Sequence, residues 1–104
     1  MSVTYVGSDG SELDQAISGD LAIVMFSAKW DGPSRSIAPK FDNLSGQYAN
    51  VSFYCVDRDE LADHQLVETV HTLPTFMFYS HGAKVGEFEG ANESSLRDLI
   101  EANI

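Results

Sequence analysis

The sequence predicts an α/β domain built on a central mixed sheet of about five strands, flanked by four helices on its two faces. Three observations lead there. Segments of helical period alternate with segments of strand character along the whole chain, which is the pattern of parallel crossovers. Leu21-Ala22-Ile23-Val24-Met25-Phe26 is apolar on both faces, as expected of a central strand covered by helices from two sides. Near the end, His81-Gly82 offers a tight turn between two strand-like runs, which adds antiparallel strands at one edge.

Taken in order, Thr4-Tyr5-Val6 is a short strand. Asp9-Gly10-Ser11-Glu12 has capping-box spacing, Leu13, Ala16 and Ile17 share one helical face, and Gly19 suits the end of that helix. The apolar central strand follows. A second helix begins near Pro33, with Ile37, Phe41, Leu44 and Tyr48 recurring at helical spacing and Pro39 expected to kink it. Val51-Ser52-Phe53-Tyr54-Cys55-Val56 is the next strand, ending at Asp57. Residues 60 to about 70 are predicted as a third helix on Leu61, Leu66, Val67 and Val70. Strands over residues 75–80 and 84–89 form the hairpin, which Gly90 ends. Asn92 caps a last helix whose apolar face is Leu96, Leu99, Ile100 and Ile104. The order is β-α-β-α-β-α-β-β-α. No repeat, low-complexity tract or linker divides residues 1–104, which read as a single domain.

Composition narrows the function classes. Sixteen acidic residues against six basic ones give a formal charge of −10. That balance repels phosphate backbones and anionic lipid, so neither nucleic acid nor membrane is an expected partner. It suits a monomer with a solvated acidic surface, or one that docks on basic partners. The one cysteine, Cys55, cannot form an internal disulfide. It alternates with Val51 and Phe53, which predicts a buried, inert thiol. Met1-Ser2-Val3-Thr4 lacks the basic and apolar segments of a secretory signal, so a reducing, cytoplasmic location is expected. His64, His71 and His81 have no ligand spacing, and no metal or cofactor is expected. Asp57-Arg58-Asp59-Glu60 reads as a solvated loop and helix start.

Several local signatures occur in a telling order: Phe26-Ser27-Ala28-Lys29-Trp30 leading into Gly32-Pro33, then Ile37-Ala38-Pro39, Val56-Asp57, Leu73-Pro74-Thr75-Phe76, and Val85-Gly86-Glu87-Phe88 with Gly90-Ala91. On these motifs the chain resembles the thioredoxin family over nearly its whole length, with wording nearest the small cytosolic thioredoxins of eukaryotes. The resemblance implies the thioredoxin fold, protein-disulfide reduction, and a cis Leu73–Pro74 bond. It also implies a shallow binding face made by Trp30, Asp31, Gly32, Pro33, Leu73, Pro74, Gly90 and Ala91, on which an extended segment pairs with backbone at Leu73.

The chain departs from the family where the chemistry lies. The family's turn reads Trp-Cys-Gly-Pro-Cys; here Asp31 and Ser34 occupy the two cysteine positions. Thiol–disulfide exchange needs an attacking thiolate, and neither a carboxylate nor a hydroxyl supplies one. Met25 stands where the family usually has a buried aspartate that serves proton transfer. No catalytic residue is therefore assigned, and the three changes together suggest a natural, redox-silent relative. Asp31 and Ser34 support two readings. In one, Asp31 is an N-cap and Ser34 a small polar filler, worth about 1 kcal/mol. In the other, Asp31 keeps the negative charge of a reduced thioredoxin, so partners that recognise that form still bind. A hydrolase on the pair lacks a base. The leading expectation is a non-catalytic binding or regulatory module. The alternatives are a thioredoxin-type oxidoreductase, weakly active through Cys55 or altered from an active parent, and a structural subunit of an assembly.

Overall fold

In the computed structural model, which describes residues 3–104, the apolar central run becomes β2 (Leu21–Ser27), whose interior is buried on both faces. Residues 1 and 2 of the start segment lie outside the described residues. Around β2 are β1 (Thr4–Val6), β3 (Ser52–Asp57), β4 (Thr75–Ser80) and β5 (Ala83–Glu89), in the order β1-β3-β2-β4-β5. β1 and β3 run parallel to the centre, while β4 and β5 are antiparallel to their neighbours. Helices α1 (Gly10–Ala16), α2 (Gly32–Ser45) and α3 (Glu93–Glu101) complete the fold.

The two faces of the sheet bury two cores. One gathers Ile23, Met25, Phe53, Cys55, Phe76 and Phe78 under α2 and α3, with Phe41 in ring contact with both Phe53 and Phe76. The other gathers Val24, Phe26, Val56, Met77 and Tyr79 with Leu13 of α1 and with Leu61, Val67 and Val70. This division follows from alternation in β2, where odd positions point one way and even positions the other. Among the described residues no helix is long and apolar enough to cross a membrane.

The fourth expected helix is absent. Residues 60–70 form turns ending in a single 3-10 turn, Val67–Thr69. The cause is His64: its Nδ1 accepts the Leu66 amide at 3.1 Å, taking the hydrogen that an α-helix would give to the carbonyl of Ala62. The five-residue step from Leu61 to Leu66 also breaks helical spacing. The ring's Nε2 meets Asp14 at 2.8 Å, pinning the segment to α1 instead.

Smaller differences have local causes. Asp9 caps α1 by accepting the amide and hydroxyl of Ser11, rather than forming a reciprocal box with Glu12. α1 ends at Ala16, before Gly19, as Ser18 turns its amide and hydroxyl to the Gln15 carbonyl. Asn92 caps α3 through the Ser95 amide, and Leu96 and Ile100 are buried, but Ile104 lies beyond the helix and is exposed. In the hairpin, His81 and Gly82 both take positive φ (51° and 85°), the backbone that a two-residue turn of matching twist requires. Phe78 pairs with Gly86 and Tyr79 with Lys84, so Val85 is bulged out of the ladder on the edge strand.

Candidate functional site

Strand order brings the resemblance-implied residues to one end of the sheet. Phe26 pairs with Thr75 and Thr75 with Glu89, so the C-terminal end of β2, the start of β4 and the end of β5 lie side by side. The turn from Lys29 to Pro33, the Leu73–Pro74 loop and Gly90-Ala91 leave from that edge. The Leu73–Pro74 bond is cis. The Pro74 carbonyl accepts the Gly90 amide at 2.8 Å, and the Thr75 hydroxyl donates to the Thr72 carbonyl at 2.6 Å, so the two loops are tied together. Gly90, at φ 107°, needs the freedom of a residue without Cβ. Gly32, Pro33 and Ala91 are exposed, Asp31, Leu73 and Gly90 half-buried, and Pro74 buried, where it shapes the loop rather than offering surface.

Asp31 is the N-cap of α2, and Pro33 sits in the first turn, where its missing amide hydrogen is no loss. One carboxylate oxygen, Oδ2, accepts both the Ser34 amide at 2.9 Å and the Ser34 hydroxyl at 2.7 Å. Ser34 is only 2% exposed. The serine is thus a buried donor whose hydroxyl is satisfied by the cap itself, a closer coupling than a small polar filler would have. Beneath it lies a cavity of about 150 Å³, lined by Met25, Ser27, Ser34 and Cys55 among others. Met25 is buried in register with Cys55 of the neighbouring strand.

Cys55 is 7% exposed, its Sγ 3.4 Å from the Ser27 hydroxyl. Burial pushes the thiol's pKa up, against a smaller opposing effect of the Ser27 hydrogen bond, with the nearby Asp57 charge adding to the rise. A protonated, buried thiol is a poor nucleophile.

Trp30 is 63% exposed, yet its orientation is fixed. Its indole N–H donates to Asp59 Oδ2 at 2.7 Å, and the Arg58 guanidinium lies 5.7 Å from the ring centroid. Asp59 is held in turn by its own amide on Asp57 Oδ1, at 2.8 Å. Asp59 and Arg58 were not legible as site residues, because they read as a solvated acidic loop 29 positions from the tryptophan. Only the strand order that sets β3 beside β2 joins them. The three histidines do not gather: His64 serves α1, His81 lies at the hairpin turn at the opposite end of β4, and His71 is exposed two residues before Leu73. Among the described residues no group of three His, Cys, Asp or Glu side chains is placed to hold a metal ion.

The Thioredoxin family model matches residues 5–102. Thioredoxin-3 of Dictyostelium discoideum is 47% identical over 102 residues, covering 98% of this chain and 97% of the relative. Thioredoxin of Mus musculus is 48% identical over 86 residues, 82% of each chain. Among solved structures, a Plasmodium falciparum thioredoxin superposes with a TM-score of 0.90 at 37% identity, covering 97% of this chain and 99% of that one. A poplar thioredoxin h gives 0.89 at 33% identity, with 98% and 96% covered.

Proposed function

The chain belongs to the thioredoxin family, and from that premise we propose that it is a redox-inactive member acting as a protein-binding or regulatory module. It would work without a cofactor in a reducing, cytoplasmic setting, through the face around Trp30, Asp31, Gly32, Pro33, Leu73, Pro74, Gly90 and Ala91. One observation carries the reading. The two positions that need sulfur hold a carboxylate and a hydroxyl bonded to each other, while the single thiol is buried in the sheet. Electron transfer to a disulfide requires a thiolate that can reach it and a second one to resolve the mixed disulfide; this face has neither. Further support comes from the order of the parts assigned to contact. Trp30 is exposed and oriented, and the Leu73–Pro74 and Gly90 loops are tied by a backbone bond. An ordered, exposed tryptophan is the residue type that anchors protein interfaces.

Insulin reduction driven by dithiothreitol tests this. The expected outcome is a rate at the dithiothreitol background, with turnover gained in the Asp31→Cys/Ser34→Cys variant, which supplies the two thiols the family's turn carries. Clear catalysis by the unaltered chain would overturn the reading and place the chemistry on Cys55.

A further inference from the structure

The Asp31 carboxylate uses only one of its two oxygens within the chain's described residues. Both hydrogen bonds to the Asp31 side chain fall on Oδ2, which leaves Oδ1 without a hydrogen-bond partner among the described residues. No salt bridge among those residues reaches it either. The nearby Arg58 is turned to Asp59, 3.8 Å away, and to the Trp30 ring. Around it the charges are mixed: Asp59 just after β3 and Glu89 at the end of β5 border the same sheet end, and Lys29 and Arg35 flank the turn without an ion pair to Asp31 among the described residues. Over the whole chain, sixteen acidic residues face six basic ones, a field that draws cations and speeds the approach of a basic partner.

The indole beside Asp31 adds a shape requirement. Its N–H is already given to Asp59, so what Trp30 still offers is ring surface, and Arg58 shows that a guanidinium settles against it. A second guanidinium combines positive charge, N–H groups for Asp31 Oδ1 and a plane that can rest on the adjacent tryptophan; an ammonium has charge but no plane.

Resting on the protein-binding reading above, we propose that this face takes an extended segment of a basic protein, with an arginine placed between Asp31 Oδ1 and the Trp30 ring. The anchor is a charge-assisted hydrogen bond where a sulfur bond would otherwise form.

The test uses the full chain labelled with nitrogen-15 and three short peptides, Ala-Val-Xaa-Val-Ala blocked at both ends, with arginine, glutamine or glutamate at Xaa. The Trp30 indole N–H and the Ser34 amide report occupancy of the face. The arginine peptide is expected to bind about tenfold more tightly than the glutamine peptide, and the glutamate peptide more weakly than either. The advantage should shrink as salt is raised and vanish in Asp31→Asn, which keeps the helix cap because asparagine caps as well as aspartate. If arginine and glutamine peptides bind this face equally, or Asp31→Asn keeps the arginine preference, the cation proposal is wrong while protein binding at the face stands. If none of the three moves the Trp30 and Ser34 signals, both fall.

Discussion

Replacing Asp31 by alanine removes two hydrogen bonds at once, because a single carboxylate oxygen holds both the amide and the hydroxyl of Ser34. Loss of an N-cap costs about 1 kcal/mol. The second loss differs in kind. Ser34 is 2% exposed, so its hydroxyl is left as a buried donor without a partner, a penalty of about 1–3 kcal/mol. Asp31→Ala should therefore destabilise by about 2–4 kcal/mol. Ser34→Ala alone removes one hydrogen bond and should cost about 1 kcal/mol. In Asp31→Ala/Ser34→Ala no donor is stranded, so the double variant should be more stable than the two single costs imply, by about 1–2 kcal/mol of coupling. Asp31→Asn keeps an oxygen for both bonds and should stay within about 0.5 kcal/mol of the parent. Urea unfolding at neutral pH reads all four variants, with midpoints moving by on the order of 1–2 M at unchanged slope for the largest effect. Single costs that simply add, or an alanine variant within about 0.5 kcal/mol of the parent, would refute the shared-oxygen argument.

Two further outcomes are expected elsewhere in the fold. A Cβ at Gly86 would sit 2.6 Å from Leu99 Cδ1 and 3.2 Å from Asn103 Nδ2, so in Gly86→Ala the ends of these two side chains must shift, at a cost of about 1 kcal/mol. The loss should be smaller when Leu99→Ala is already present, measured by thermal unfolding. For Cys55, alkylation of the native protein by iodoacetamide should run at least roughly tenfold slower than in denaturant. Because burial raises the thiol's pKa, the native state keeps a proton that the unfolded chain loses, so stability is full below the ordinary thiol range near about 8.5 and declines as pH rises above it. Tyr48 and Tyr79 are also raised and add decline at higher pH. The diagnostic is therefore the difference in urea midpoint between the parent and Cys55→Ala over about pH 8–10; equal pH dependence would count against the burial argument.

What the sequence made legible was whatever a local pattern determines. β2 is apolar on both faces because helices cover both, and that shows in six consecutive residues. Asn92 and Asp31 declare themselves as caps by residue type and place. The segment 60–70 failed because its outcome depends on an imidazole capturing one amide while reaching across to Asp14 on α1, a choice made by tertiary packing. The Trp30–Asp59 bond failed for a related reason, since no spacing rule links residues 29 positions apart on different loops. Ser34 was read as a filler because the first turn of a helix is usually wet; its burial comes from the sheet beneath, not from its neighbours in sequence. The cis bond at Pro74 was carried by the family resemblance alone.

Met25 and Asp31 make physical sense only together. The resemblance places an acid at position 25, and here that position lines the same cavity of about 150 Å³ as Ser34, whose hydroxyl is bound to the Asp31 carboxylate. A carboxylate at position 25, which is 3% exposed, would carry a desolvation penalty. Methionine avoids that penalty and fills apolar space in register with Cys55. The carboxylate of this turn stands instead at position 31, where it caps α2 and leaves Oδ1 without a partner among the described residues. Ser34 completes the exchange, since its hydroxyl is a stronger donor than a thiol and satisfies the new carboxylate from below. Together the three residues give a helix cap, an apolar floor and a carboxylate oxygen without a partner among the described residues, which is the set of properties the recognition face proposed above calls for.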